Sequence, residues 1–285
     1  MFADHWQKLA TGPLTPALTQ EGLVALPRIR ALRFTGPDVI GFLQGYLTSS
    51  TEALTPQRFQ PAALCNLQGR VIANGWCIRS EEDQVIWLIH ASVVEIVTDF
   101  MKPYLAFSKT RLSVVDDCLV LGRIGGVESS GPALAISENL SLILASDIGE
   151  LERLIARYGV AEPKIWHRTL IEKRIVWVSE PVSARFLPQM LNLVELGAID
   201  FDKGCYLGQE VVARAQHRGR VKRNLMCLRI ENGPLPTPGE MISAGNDREV
   251  GTVMQTDEAS LCLAVIRESA TPPYRCGDSV LSDFP

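Results

Sequence analysis

Residues 203–210 read Lys203-Gly204-Cys205-Tyr206-Leu207-Gly208-Gln209-Glu210, the densest group of chemically unusual side chains in this chain of 285 residues. Two glycines lie among a cation, a thiol and a phenol, a pattern that predicts a loop entering a helix. Glycines there let a ligand approach the backbone closely, and a helix N-terminus beside Lys203 favours an anion. A plain turn before a solvated helix face is the alternative interpretation.

Cys205 is one of seven cysteines, none of which belongs to a Cys-x-x-Cys pair. This spacing argues against a disulfide framework, a zinc knuckle or a bound iron–sulfur centre, and we predict no metal site. An isolated cysteine is usually a small buried apolar residue, whereas an accessible thiolate is a nucleophile. Spacing alone leaves both interpretations of Cys205 open.

A basic segment follows this stretch at residues 214–223. It contains Arg214, His217, Arg218, Arg220, Lys222 and Arg223. The whole chain has 28 Lys and Arg against 32 Asp and Glu, a net charge of −4, so nucleic acid can be attracted only locally. The segment is either a solvated linker or a basic patch that contacts RNA, and no DNA partner is expected.

The chain is predicted to be an α+β protein of two domains. Its length exceeds that of a usual single domain, and its strands and helices before residue 220 do not alternate regularly. After residue 220, short β-like runs are separated by Pro and Gly, a pattern typical of a small barrel or sandwich. We therefore predict an α+β domain at residues 1–220 and a β-barrel at residues 221–285.

Several local elements can be predicted as well. The runs 59–65 and 71–78 are expected to be strands, joined by a hairpin turn at residues 66–70. Capping boxes that open helices are expected at Thr35 with Asp38, at Ser92 with Glu95 and at Asp147 with Glu150.

Composition and targeting signals narrow the class of protein. Hydrophobic residues make up 46% and charged residues 21%, which excludes a disordered, collagen-like or coiled-coil chain. Residues 1–22 contain no apolar run of signal-peptide length, and no uncharged apolar run long enough to span a membrane occurs. We expect a soluble, cytoplasmic protein without a membrane partner.

The stretch 203–210 resembles the Lys-Gly-Cys-Tyr-x-Gly-Gln-Glu signature of the YgfZ-type folate-binding proteins. These are relatives of the glycine-cleavage T-protein that serve iron–sulfur cluster maintenance. Residues 186–189, 192–193, 212–214, 218–219 and 222–223 are similar to the same family, as is an N-terminal block within 35–48. The resemblance implies a T-protein-like folate-binding body followed by a small C-terminal β-barrel.

The resemblance also implies a site for tetrahydrofolate or a one-carbon derivative of it. Trp166 would stack on the pterin ring and Glu172 would accept hydrogen bonds from its amino-pyrimidine edge, roles that suit a flat ring with donors along one edge. Core packing of Trp166 is the alternative that the residues alone favour. Ile29 lies where some members of the family have an aromatic folate contact.

The other residues assigned by the resemblance lie in and after the stretch 203–210. Lys203, Tyr206, Gln209 and Arg214 would complete the folate contacts, and Cys205 would be the functional thiol. The Cys205 thiolate would bind or transfer sulfur, iron or a reactive folate adduct.

The activity of the T-protein requires a group that this chain lacks. The T-protein relatives place a carboxylate near the reacting amine, where it can stabilise a cationic centre. The corresponding positions hold Ala73 and Asn74, neither of which carries charge. Aminomethyl transfer is therefore not expected.

What the resemblance implies instead is an accessory protein that binds tetrahydrofolate and supports assembly or repair of iron–sulfur clusters in other enzymes. Through those enzymes it would affect tRNA modification. Its partners would be folate, iron–sulfur enzymes or assembly proteins, and tRNA indirectly. Two alternatives are a folate-dependent one-carbon transferase of the aminomethyltransferase type and a tRNA-binding module that uses residues 214–223.

Overall fold

A computed structural model describes Trp6 and residues 19–126, 134–245 and 248–284. The expectation that residues 1–22 lack a targeting signal therefore falls mostly outside the described residues. Elements in chain order are β1 (Gly22–Ala25), β2 (Ile29–Thr35), α1 (Val39–Gln44), β3 (Gln60–Cys65), β4 (Val71–Glu81), β5 (Gln84–His90), α2 (Val94–Leu105), β6 (Arg111–Val115), β7 (Leu119–Ile124), β8 (Leu134–Ala135), β9 (Leu140–Ala145), α3 (Ile148–Tyr158), α4 (Pro163–Glu172), α5 (Gln209–His217), β10 (Arg223–Asn232), β11 (Met241–Ala244), β12 (Arg248–Thr256), β13 (Leu261–Arg267), β14 (Tyr274–Cys276) and β15 (Ser279–Asp283).

The first sheet has five antiparallel strands in the order β3–β4–β5–β2–β6. Helices α1 and α2 cover one face of it, because their apolar side chains share a core with those of the sheet. Val39, Phe42 and Leu43 are the buried residues of α1 and form its apolar face. The other face packs toward α4 and the second sheet.

The second sheet has the strand order β1–β7–β9–β8. Leu151 and Leu154 of α3 pack on one face, in a small apolar core with side chains of β1, β7 and β9. Trp166 and Leu170 of α4 pack on the other face, where the two sheets share one core. One side of the helix thus packs between the sheets, whereas Lys164, Arg168 and Glu172 on its other side are exposed.

The C-terminal residues form a closed six-stranded barrel in the order β10–β13–β12–β11–β14–β15. Its interior is filled by apolar side chains such as Ile242, Val253 and Leu281. Leu225, Met254 and other side chains of β10, β12 and β13 face outward and are buried against the body. Together with the mixed body, the barrel confirms the predicted α+β class.

The local predictions have mixed outcomes. The hairpin turn is confirmed, since the Asn66 N–H donates to Arg70 O at 2.9 Å and the Gly69 N–H to Asn66 O at 2.9 Å. The cap at Asp147 is confirmed too, because its Oδ1 accepts from the Glu150 N–H at 2.7 Å.

The other two capping predictions are wrong. Thr35 is still part of β2, and α1 begins at Val39 without a side-chain cap. Ser92 lies in a short 3₁₀ turn capped by His90, and α2 begins only at Val94. In both places a strand or a 3₁₀ turn extends over the predicted cap, and the helix starts later than the local pattern suggests.

Within the described residues, no helix is both long enough and apolar enough to cross a membrane.

Candidate functional site

Residues 203–208, here called the motif loop, lead directly into α5, as predicted from the sequence. Gly208 ends the loop in the left-handed region, with φ at 83°. A Cβ at Gly208 would lie 2.3 Å from Asn66 O, so only glycine fits at this contact with the hairpin turn. The motif loop therefore rests on the turn between β3 and β4.

Lys203 fastens the motif loop to the N-terminal part of the chain. Its Nζ donates to three backbone carbonyls, Gln44 O at 2.9 Å, Leu47 O at 2.7 Å and Ser49 O at 2.9 Å. An ammonium has three hydrogens, so this arrangement leaves no donor for a folate or another anion. In this structure Lys203 is a positioning residue of the motif loop, and its folate contact stays a prediction.

The Lys203 ammonium is half-buried, and its surroundings change its pKa. Burial lowers the pKa of Lys203 to about 8, against the opposing influence of Asp200 and Glu52. Nζ lies 5.4 Å from the centre of the Tyr206 ring, which supplies a further favourable contact to the cation.

Tyr206 and Gln209 are used inside the motif loop rather than at its surface. Tyr206 is buried, which raises the pKa of its phenol strongly, and its hydroxyl has no hydrogen-bond partner within the described residues. The Gln209 side chain folds back, and its Oε1 accepts from the Tyr206 N–H at 3.3 Å. In this conformation both residues shape the loop, and their folate contacts stay predictions.

Cys205 lies in the middle of this braced loop and is exposed, in contrast to the other six cysteines. Five of those are buried and Cys118 is half-buried. Burial raises the pKa of all six, for example to about 12 for Cys65 and Cys276 and to about 11 for Cys227. Of the two sequence interpretations, the buried apolar thiol does not describe Cys205.

The other segments that resemble the family meet the motif loop in space. Gln189 donates through Nε2 to Val212 O on α5 at 2.9 Å. The Arg70 guanidinium donates to Arg185 O at 2.9 Å and so joins the hairpin to the segment before Gln189. The Leu207 N–H donates to Gly45 O at 3.0 Å, which connects the loop to the N-terminal block.

The predicted pterin contacts do not join this assembly. Trp166 is 1% exposed, and its indole ring packs so closely on Gly122 of β7 that a Cβ there would lie 2.6 Å from it. The structure thus favours the packing alternative over the stacking role. Glu172 is solvent-accessible but lies at the far end of α4, where it pairs with Arg168 at 2.8 Å.

Arg214 pairs within its own helix, whereas Ile29 belongs to the same buried cluster as Trp166. Arg214 projects into solvent from α5 and pairs with Glu210 one turn earlier at 2.5 Å. Ile29 is buried at the start of β2. Among the described residues, no three His, Cys, Asp or Glu side chains come together as metal ligands.

Comparison with known proteins identifies the family. The chain is 30% identical over 284 residues to the tRNA-modifying protein YgfZ of Edwardsiella ictaluri, covering 88% of this chain and 84% of that relative. This chain belongs to the YgfZ family. The YgfZ proteins of Klebsiella pneumoniae and Pectobacterium carotovorum are 29% and 28% identical, over 84% and 86% of this chain and 83% and 82% of theirs. No family model matches.

The fold of this YgfZ family member is shared with a solved enzyme structure. The glycine cleavage system aminomethyltransferase T from Bartonella henselae superposes with a TM-score of 0.73, covering 100% of this chain and 96% of that one, at 12% identity. This similarity confirms the predicted T-protein-like fold, and at such low identity it shows the fold alone.

Asn74 has a structural role in this YgfZ family member. It is buried in β4, its Nδ2 donates to Val176 O at 2.8 Å, and its Oδ1 accepts from the Val178 N–H at 2.8 Å. The neutral amide holds the segment after α4 against the first sheet, and it offers no charge to a reacting amine.

A basic cleft lies beside the barrel, and the sequence did not predict it. It combines residues of the basic segment with Arg267, Glu268 and Ser269 from the end of β13. The basic segment itself is visible in the sequence, but Arg267 joins it only because β10 and β13 pair in the barrel. No local spacing indicates that pairing.

Proposed function

We propose that this protein supports assembly or repair of iron–sulfur clusters in other enzymes, and through them tRNA modification, with Cys205 as its working residue. The observation that carries this proposal is the exposed thiol on a loop held at both ends, by Lys203 on residues 44–49 and by Gly208 on the hairpin turn. A thiol held this way is accessible to a partner and does not depend on its own side-chain contacts for position. The relatives are named tRNA-modifying proteins, which is consistent with such a role.

We also propose that the protein binds tetrahydrofolate, on the strength of its fold. The residues expected to hold the pterin do not form one site, because Trp166 is buried and the Lys203 donors are occupied. Among the predicted contacts, Glu172 is the accessible carboxylate that could accept from an amino-pyrimidine edge. No step of the cluster-support function is assigned to the folate.

Replacement of the exposed thiol should separate function from stability. In cells that carry only the Cys205→Ala variant, we expect the activity of a tRNA-thiolating iron–sulfur enzyme to fall to that of cells without the protein. The free energy of unfolding should change by less than about 0.5 kcal/mol, because the side chain is exposed. Cys118→Ala, which removes a half-buried thiol, is the matched control and should keep the enzyme active. Normal enzyme activity with Cys205→Ala would remove the proposed role.

Calorimetry tests folate binding independently of Cys205. Wild-type protein should give binding heat with tetrahydrofolate, and Glu172→Gln should weaken binding by about tenfold, the loss typical of one hydrogen bond to a charged acceptor. Glu162→Gln opens the ion pair with Lys164 at the other end of α4 and should bind as wild type does. If the wild-type protein gives no heat, folate is not its ligand.

A further inference from the structure

The basic cleft lies between the segment that follows α5 and the rim of the barrel. It has a volume of about 500 Å³ and is lined by Arg220, Lys222, Arg223, Arg267, Glu268 and Ser269. Sites for small molecules or parts of larger ligands commonly have volumes of about 300–1,000 Å³. The cleft is therefore wider than a single inorganic ion needs.

The charges in the basic cleft are not balanced. Glu268, the one acid among the described residues that line it, already pairs with Arg220 at 2.9 Å. Within the described part of the chain, Lys222, Arg223 and Arg267 have no ion-pair partner. Three unpaired cations around one cavity create a local positive potential although the chain as a whole is acidic.

Two of these cations are held opposite each other by the barrel. Arg223 of β10 and Arg267 of β13 are cross-strand partners in the ladder, a position where like charges destabilise a sheet. The Glu268 N–H donates to Lys222 O at 2.9 Å, which continues the pairing beyond the strand ends. The backbone pairing thus holds the cations together, so an anion that bridges them would relieve their repulsion.

The side chains of the basic cleft suit phosphate groups. Arginine guanidinium groups bind phosphate oxygens in a bidentate manner. None of the described residues that line the cleft is aromatic, so bases would not be stacked there and recognition would be of the backbone. Arg218, which is exposed after the end of α5, adds a further cation to this segment.

We propose that the basic cleft binds phosphate groups of an RNA backbone. The choice of RNA rests on the proposed function in tRNA modification, whereas the affinity for phosphate rests on the cleft alone. Binding would depend on salt and only weakly on sequence, because phosphate contacts carry no base information.

Fluorescence anisotropy with a labelled 20-nucleotide RNA tests this site. Wild-type protein should bind the RNA with an affinity that falls as salt rises, and Lys222→Gln/Arg267→Gln should weaken binding by at least about tenfold. The slope of log affinity against log salt should become about 1.4 less steep, because each phosphate that a cation neutralises on a single strand adds about 0.7 to it. Lys102→Gln/Lys109→Gln removes two exposed cations elsewhere and should leave binding unchanged.

Three competitors identify the source of the anion. Unlabelled RNA should displace the labelled strand, whereas inorganic pyrophosphate and polyglutamate should do so poorly. Displacement by pyrophosphate at micromolar concentration would assign the cleft to a free phosphate compound, and displacement by polyglutamate would assign it to an acidic protein surface. Either result, or equal RNA affinity of the wild type and the cleft variant, would overturn the proposal. The variant should keep its tetrahydrofolate heat, so failure of RNA binding and failure of folate binding are distinguishable.

Discussion

Trp166→Ala is expected to lower the free energy of unfolding by about 3–5 kcal/mol, the usual cost of removing a buried tryptophan from a core. Trp166 lies between the two sheets and packs against Gly122, and no smaller side chain can fill the space left on both sides of it. Urea unfolding followed by circular dichroism measures the change directly.

Phe107→Ala provides the matched control for that measurement. Phe107 is 94% exposed, so removing its ring should change the free energy of unfolding by less than about 0.5 kcal/mol. A Trp166→Ala protein with nearly unchanged stability but no tetrahydrofolate heat would restore the stacking role that the family resemblance implies. A destabilised protein that still binds tetrahydrofolate would fix Trp166 as a core residue.

Lys203→Met should lower the free energy of unfolding by about 2–4 kcal/mol, because it leaves the carbonyls of Gln44, Leu47 and Ser49 without their shared donor. Methionine keeps most of the length and apolar stem of lysine, so the loss reports on the ammonium. Urea unfolding again measures it. The motif loop should also loosen, which proteolysis near residue 205 would detect.

The matched control for Lys203 is Lys102→Met, in the last turn of α2. Lys102 is exposed, and its replacement should cost less than about 0.5 kcal/mol. If both variants are equally stable, the three carbonyl contacts do not contribute to the fold. If Lys203→Met is stable but loses tetrahydrofolate binding, Lys203 is a ligand contact after all.

Features with local causes could be predicted from the sequence. The hairpin at Asn66 follows from turn residues whose backbone preferences are short-range, and the loop into α5 follows from Gly208. The predicted caps at Thr35 and Ser92 failed although the same local rule succeeded at Asp147. At Thr35 and Ser92 a strand and a 3₁₀ turn extend over the predicted cap. Strand pairing is a tertiary constraint that a four-residue pattern does not contain. Strands β11 and β14 are four and three residues long, too short to show a period.

The candidate site shows where sequence reasoning stops. The pattern of a lysine beside two glycines is the same whether the lysine binds an anionic ligand or backbone carbonyls. The carbonyls that Lys203 contacts lie more than 150 positions earlier, where no local pattern can indicate them. Trp166 presents the same difficulty, since its residue pattern suits packing and the family resemblance suits stacking. Its burial against Gly122 distinguishes the two. Isolated cysteines are usually buried, so the sequence alone did not decide that Cys205 is exposed.

The Lys203 contacts also determine when the motif loop can form during folding. They join residues separated by 154–159 positions, so the loop cannot take its final shape until the first sheet and the segment behind α1 are in place. A chain that stops at an incomplete intermediate would display Cys205 on an unstructured segment. Amide exchange at residues 44–49 and 203–208 should accordingly follow one shared opening reaction, because neither segment can detach while the other remains closed. The Cys205 thiol therefore reaches its final position only after the first sheet and the segment behind α1 have folded.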